Sequence, residues 1–306
     1  MPLDPQAQAF LERLEALNLP DVSELGIAAR YAGHEDNDWG GPIGNGATIS
    51  HRFITTPTAD VPVRIYTPKN PGPHRAFLYF HGGGWVLGHI DKYDSQMVEI
   101  SQKTNSVVVS VNYQKSPEHK FPIPHDDCYA ALQWVLDNAH VLNIDTTKIG
   151  VGGDSAGGNL AAGVALRARD EKIALAYQLL IYPATQLDFD TPSYLKNAEG
   201  SGLRRRGMIW FWDQYLYPDD KSNPYAVPDV ALDHTNLATA IIPTAEYDVL
   251  RDDGLSYAAK LEAAGNTVIS QDFAGQIHGF FSHSKFVDAS YTLRSWLIEQ
   301  INSVLN

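Results

Sequence analysis

The chain has 306 residues, 44% of them hydrophobic, enough for a large buried core in one α/β domain with an appendage. Its formal net charge of −13 argues against nucleic acid or an anionic membrane surface as a partner. One cysteine, Cys128, excludes an intrachain disulfide and a cysteine-built metal site, and no run of 18 apolar residues offers a membrane span.

The opening Met1-Pro2-Leu3-Asp4-Pro5 has no basic region followed by an apolar core, so the expected setting is the cytoplasm. Asp4 and Pro5 suit the N-cap and first position of a helix over 4–17. Ala7, Phe10, Leu11, Leu14 and Leu17 fall on one face of it. The stretch 32–50, rich in Gly, Asp and Asn, reads as loop. His51–Thr56 and Val61–Thr67 alternate like two antiparallel strands joined near Asp60. Ala76–Phe80 is a compact apolar strand, and Val107–Val111 is a β-branched strand buried on both faces. Ser95–Lys103 between them is helical. Asp126–Asn138 is a helix carrying Cys128, which reads there as a small buried hydrophobe.

Lys148–Gly152 leads as a strand into Gly153-Asp154-Ser155-Ala156-Gly157-Gly158, and an Ala/Leu-rich helix runs on to about Arg169. Three more strands follow at Ala174–Tyr182, Ile241–Glu246 and Thr267–Phe273. A helix over Leu255–Ala264 is stopped by Gly265. The final helix, 286–304, bears Leu293, Trp296, Leu297 and Ile301. Strands alternating with helices predict a mainly parallel sheet covered on both faces. Residues 186–236 break that rhythm. They hold no convincing strand but carry Leu203, Met208, Trp210, Phe211, Trp212 and Tyr215 around Arg204-Arg205-Arg206. An insertion after a parallel strand lies at the carboxyl edge of the sheet, where sites form. The expected organisation is an N-terminal cap segment 1–50, a core 51–185, a cap insertion 186–236 and the rest of the core, 237–306.

G-x-S-x-G between a strand and a helix puts Ser155 on a strained turn above the sheet edge. A serine there needs a base, and the base an orienting acid. Downstream of Ser155 stand three histidines: His234, His278 and His283. His278, in a glycine-flanked loop past the last strand, is favoured over His234 in the insertion and His283 near the last helix. Asp248, the first carboxylate after the strand Ile241–Glu246, is the favoured acid, with Asp252 as its rival. His81-Gly82-Gly83-Gly84-Trp85 directly follows the strand Ala76–Phe80. Its amides, with that of Ala156, are candidate donors to an oxyanion. No Gly-Lys-Ser/Thr follows the glycines, which disfavours a phosphate loop. Trp85, Trp210 and Phe211 are candidate substrate contacts. The scattered histidines suggest no metal site.

His81-Gly82-Gly83-Gly84, Gly153-Asp154-Ser155-Ala156-Gly157-Gly158, Asp248-Val249-Leu250-Arg251-Asp252 and Ser116-Pro117-Glu118-His119-Lys120-Phe121-Pro122 together resemble the hormone-sensitive-lipase-like branch of the α/β-hydrolases. The likeness runs from about residue 60 to 282, and the first five residues resemble the opening of some bacterial carboxylesterases of this branch. It implies an α/β-hydrolase fold, with a mostly parallel eight-stranded sheet, helices on both faces and a helical cap. It also implies a Ser155–His278–Asp248 triad, an oxyanion hole from Gly83, Gly84 and Ala156, and cofactor-free hydrolysis of short- to medium-chain acyl esters. The expected partner is a small-molecule ester, and the expected state a monomer or homodimer. Tyr113-Gln114-Lys115-Ser116 stands where the branch usually has Tyr-Arg-Leu-Ala, and Val249 stands for a frequent proline. An amidase or lyase using the same triad is the rival among enzymes. A non-catalytic ligand-binding relative is the rival outside them, disfavoured because such relatives lose the histidine that is present here as His278.

Overall fold

The computed structural model describes residues 2–31, 39–199 and 202–306. Eight strands form one sheet: β1 (Ala47–Thr55), β2 (Asp60–Pro68), β3 (His74–Phe80), β4 (Ser106–Val111), β5 (Ile144–Asp154), β6 (Tyr177–Ile181), β7 (Thr239–Tyr247) and β8 (Val268–Ile277). Their order is β1-β2-β4-β3-β5-β6-β7-β8. β2 runs antiparallel to β1 and β4, and the other neighbours are parallel. β4, Ser-Val-Val-Val-Ser-Val, is buried along its whole length, as a central strand covered on both faces must be.

Two apolar layers cover the sheet. On one face α4 (Ile123–Asp137), α5 (Ala156–Asp170) and α8 (Arg251–Ala263) set Leu132, Val135, Leu160, Val164 and Leu261 against Leu78, Val109 and Val151. On the other, α3 (Asp94–Thr104) and α9 (Ala289–Leu305) set Met97, Ile100, Leu293 and Leu297 against Phe77, Val108 and Leu179. Cys128 is fully buried in α4, and burial pushes its thiol well above the usual range, so it carries no thiolate chemistry.

Several boundaries differ from the sequence pattern, each because a partner strand decides the pairing. β1 begins at Ala47, inside the stretch read as loop, because Ala47 to Ser50 pair with Pro68 to Ile65; residues 32–38 of that stretch lie outside the described residues. β6 starts at Tyr177 rather than Ala174. β8 extends to Ile277, where Tyr247 pairs with Ile277 beyond an irregularity in the ladder. That extension carries the chain to the doorstep of His278.

The helix α1 (Pro5–Ala16) starts as its sequence predicts: Asp4 Oδ1 accepts from the amides of Gln6 at 2.9 Å and Ala7 at 3.1 Å. The insertion after β6 holds α6 (Pro192–Lys196) and α7 (Arg205–Tyr215), with no strand among its described residues. A short helix, α2 (Val22–Leu25), packs on α7, so the N-terminal segment and the insertion meet. Among the described residues no helix is long and apolar enough to cross a membrane.

Candidate active site

β5 ends at Asp154 and α5 begins at Ala156, leaving Ser155 alone in the turn with φ 56° and ψ −119°. A side-chain-bearing residue keeps such a conformation only where its surroundings enforce it. Here the Ser155 amide donates to the Ile181 carbonyl at 2.8 Å, and its own carbonyl accepts from Asn159 N at 3.0 Å. A methyl group on Gly153 or Gly157 would overlap the Phe80 carbonyl, so the turn can pass this close to β3 only with glycine on both sides.

His278 follows β8 directly. Its Nδ1 stands 2.6 Å from Asp248 Oδ2, and its Nε2 3.0 Å from Ser155 Oγ. A carboxylate can only accept, so Nδ1 carries the proton and Nε2 is left to accept from the serine hydroxyl. Asp248 is fully buried, and its Oδ1 accepts from Leu250 N at 2.9 Å, which fixes the carboxylate from its other side. The Tyr182 ring flanks the imidazole at 4.8 Å. The rivals lie elsewhere. Asp252 accepts from Ser193 N at 2.8 Å and sits 3.5 Å from Arg251. His234 Nε2 donates to the Pro228 carbonyl at 3.1 Å. His283 packs against Phe10 with ring centroids 4.3 Å apart, and burial pushes its pKa down to about 3.

The loop after β3 is shaped by backbone sterics as well. Gly83 and Gly84 have φ of 115° and 60°, and Trp85 follows at 59°. The Gly83 carbonyl accepts from Val86 N at 3.1 Å and Leu87 N at 2.7 Å, which curls the loop. Among the described residues, the amides of Gly83, Gly84 and Ala156 donate to no carbonyl outside the helices and strands; that of Ala156 is one of the free donors at a helix start. His81 braces the loop: it stacks on Tyr113 at 4.4 Å and its Nδ1 donates to the Gly82 carbonyl at 2.7 Å. Burial holds its pKa well below the usual value, so the ring stays neutral. Arg30 adds a clamp from the N-terminal segment, donating to the carbonyls of Val86 at 2.9 Å and Ser116 at 2.6 Å.

Asp154 ties elbow and loop together. Its Oδ1 accepts from Tyr79 Oη at 2.5 Å and Gly82 N at 2.8 Å, and its Oδ2 from Tyr93 Oη at 3.1 Å. Burial raises its pKa and these donors oppose the rise.

Ser155 and His278 open into a cavity of about 370 Å³ with Gly82, Gly83 and Gly84 on its floor. Leu14, Leu17 and Leu19 form one apolar wall, Leu203, Met208 and Phe211 another, and Trp39, Lys92 and Tyr93 a third side. The volume is at the small end of the roughly 300–1,000 Å³ typical of ligand sites. No group of three or more His, Cys, Asp or Glu among the described residues is placed to hold a metal ion.

A family model described as the alpha/beta hydrolase fold matches residues 77–282. The chain belongs to the α/β-hydrolases, in their hormone-sensitive-lipase-like branch. The hydrolase is similar to an arylesterase of Saccharolobus solfataricus, 34% identical over 289 residues that cover 92% of each chain. Carboxylesterase NlhH of Mycobacterium tuberculosis is 39% identical over 237 residues, 76% of this chain and 74% of the relative. Among solved structures, a thermostable esterase from Pseudomonas putida superposes with a TM-score of 0.92 at 32% identity, covering 100% of this chain and 98% of that one.

Of Trp85, Trp210 and Phe211, the candidate substrate contacts, only Phe211 lines the hydrolase's cavity. Trp85 does not reach it. It has no exposed surface, stacks on Tyr215 at 4.4 Å and donates from Nε1 to Asn159 Oδ1 at 3.2 Å, so it is a buried joint between the glycine loop and α7. Trp210 is half-buried and off the cavity. It lies two residues from Met208 on α7, about 200° round the helix, while Phe211 returns to the same face. Ala156 does not line the cavity with its side chain. The sequence pattern of α1 already aligned Phe10, Leu14 and Leu17, but nothing in it pointed to Leu19, Trp39, Lys92 or Tyr93, which reach the cavity only through the tertiary fold.

Proposed function

We propose that the protein hydrolyses short- to medium-chain acyl esters through an acyl-enzyme intermediate on Ser155, with His278 as the base, Asp248 as the orienting acid and no cofactor. It is a carboxylic ester hydrolase: relatives named as esterases match it at 33–39% identity over most of its length. What carries the mechanistic reading is the continuous hydrogen-bonded chain from Ser155 Oγ through His278 to buried Asp248, opening into one small apolar cavity beside the glycine loop.

In this reading Ser155 Oγ attacks the ester carbonyl as its proton passes to His278 Nε2. The imidazolium that forms is stabilised by Asp248, and the oxyanion by amides of Gly83, Gly84 and Ala156. His278 returns the proton to the leaving alkoxide, and the C–O bond to the alcohol breaks. Water then repeats the sequence on the acyl-enzyme, with His278 again taking the proton, and the acid leaves. The substrate is a small molecule, bounded by α1 and α7.

The test is a series of nitrophenyl esters below their micellar range, with wild type and Ser155→Ala. A finite apolar cavity gains about 0.8 kcal/mol per buried CH₂ until it is full. kcat/KM should therefore rise from acetate to about four to eight acyl carbons and then fall, by the same pocket-filling argument. Ser155→Ala should stay folded and lose essentially all activity. A profile rising through the longest chains, or an active Ser155→Ala protein, would contradict the reading.

A further inference from the structure

Lys92 lies in the short turn Ile90–Tyr93, next to Tyr93, whose hydroxyl donates to Asp154 beside Ser155. Lys92 is among the residues lining the cavity that holds Ser155 and His278, and it also borders a neighbouring pocket with Arg30 and Glu118. Its Nζ stands 5.5 Å from the centroid of the Trp39 ring, which lines the same cavity. Among the described residues Lys92 makes no ion pair and no side-chain hydrogen bond. Its neighbour Asp91 is engaged by Arg64 and, at 3.3 Å, by His89. Asp154, the carboxylate on the cavity wall, already accepts from Tyr79, Gly82 and Tyr93.

This arrangement is physically odd. A lysine stem of four carbons can usually carry its ammonium out to water. Here the ammonium is held over the face of Trp39, an indole that lines the same cavity, where desolvation costs free energy and the cation–π contact offsets only part of it. Burial lowers the Lys92 pKa, with no carboxylate among the described residues opposing the shift. Burial lowers the pKa of His81, His89 and His283 around it, and the Lys92 charge adds to each shift. The chain carries 36 Asp and Glu against 23 Lys and Arg, so acidic side chains abound, yet none of those described is spent on this cation. A cation with no counter-charge among the described residues, on the lining of a binding cavity, is available to a charge on the ligand.

We propose that Lys92 is a specificity residue that pairs with a carboxylate on the substrate, so that the preferred esters are anionic: half-esters of dicarboxylic acids, or acyl esters of hydroxy acids. The inference rests on the reading that Ser155 attacks the ester carbonyl in this cavity. The leucines, Met208 and Phe211 accept the methylene spacer, and Lys92 the charged end. The protein's overall field repels anions, so a preference for the charged ester cannot come from the molecule as a whole and must be local.

The experiment compares kcat/KM, at low ionic strength, for two isosteric pairs and a neutral reference. Monoethyl adipate against its carboxamide places the carboxylate on the acyl side. 4-Acetoxybutanoate against its carboxamide places it on the alcohol side. Ethyl hexanoate is the reference. The expected result is a carboxylate preference of about tenfold to a hundredfold in one pair, the size of a charge-assisted hydrogen bond in a partly buried site. The pair that shows it tells which side of the ester faces Lys92. Lys92→Met should bring the ratio of that pair near unity, mainly through KM, and Lys92→Arg should keep most of it. Ethyl hexanoate turned over while both wild-type ratios stay at or below unity would overturn the inference and leave the esterase reading intact. A preference that survives in Lys92→Met would overturn it too. Failure to hydrolyse any of the five esters would overturn the esterase reading and this inference with it.

Discussion

Beneath the cavity, Gly153 and Gly157 leave no room for a methyl group against the Phe80 carbonyl, and Gly83 leaves none against the backbone at Leu87. Above it, Leu14, Leu203, Met208 and Phe211 meet the same space with rounded or flexible apolar side chains. The floor is a set of close backbone approaches, where one added carbon moves the strand, the turn and the loop against each other. The roof is a volume filled by side chains, where a change of shape alters the space and leaves the frame standing. The contrast assigns different jobs. In this account the floor decides whether an ester reacts, and the roof decides which ester does.

The largest effect should come from the group that holds the base. Asp248→Asn keeps the shape but favours the wrong imidazole tautomer, and turnover should fall on the order of 10⁴-fold with the protein folded. Asp252→Asn, whose carboxylate caps the segment at Ser193, should stay within a few-fold of wild type. A reversed ranking, measured by steady-state kinetics on folded proteins, would break the assignment of Asp248.

Trp85 belongs to neither layer but to the joint between them, stacked on Tyr215 and packed at a tilt against Trp212. Trp85→Ala should cost about 3–5 kcal/mol of stability, the usual range for emptying a large core site. Denaturant unfolding would show it. A variant of unchanged stability but altered acyl preference would instead make Trp85 a substrate contact.

Gly84 is where floor touches roof. A methyl group there would overlap the Phe211 ring, and the φ of 60° disfavours any side chain. Gly84→Ala should lower kcat by about 10²–10³, the effect of losing one oxyanion donor. Adding Phe211→Ala should recover only part of this, since it relieves the overlap and not the backbone strain. Full recovery would mean that the loop matters for space alone.

Phe211→Ala by itself should be the mildest of these. It enlarges the roof, so the acyl-chain optimum should move up by about two to four carbons while turnover of acetate changes little, at about 0.8 kcal/mol per newly accommodated CH₂. An unshifted optimum would mean that Phe211 borders the cavity without limiting the chain.

The same contrast explains which features the residues alone make legible. Backbone constraints leave narrow residue signatures: Gly153-x-Ser155-x-Gly157 and the three glycines after His81 admit few alternatives, and β4 is recognisable because a strand buried on both faces is dominated by β-branched apolar residues. The eight strands and the helices between and after them followed from sequence pattern, with errors at edges such as Ala47 and Ile277, where the partner strand sets the end, while the helices Val22–Leu25, Pro192–Lys196 and Arg205–Tyr215 outside that rhythm were not read individually. The walls were less legible. Trp85 and Trp210 carry the same chemistry as Phe211, and only helix phase and loop direction separate buried joint, half-buried face and cavity wall. Lys92 and Trp39 left no pattern and Asp154 only its place in a motif, because their meaning lies in neighbours far along the chain: Asp154 is joined to Tyr79, Gly82 and Tyr93 across 61 or more residues.

Everything above depends on Ser155 being the group that attacks. The most direct measurement is covalent trapping with a nitrophenyl alkylphosphonate, which leaves a stable adduct on an activated serine and releases nitrophenol as it does so. If Ser155 is the nucleophile, the result is a burst of one nitrophenol per chain, complete loss of ester hydrolysis, and a mass shift confined to the peptide containing Ser155, with none in Ser155→Ala. A label on any other residue accompanying the loss of activity, or full esterase activity in protein stoichiometrically labelled at Ser155, would contradict it.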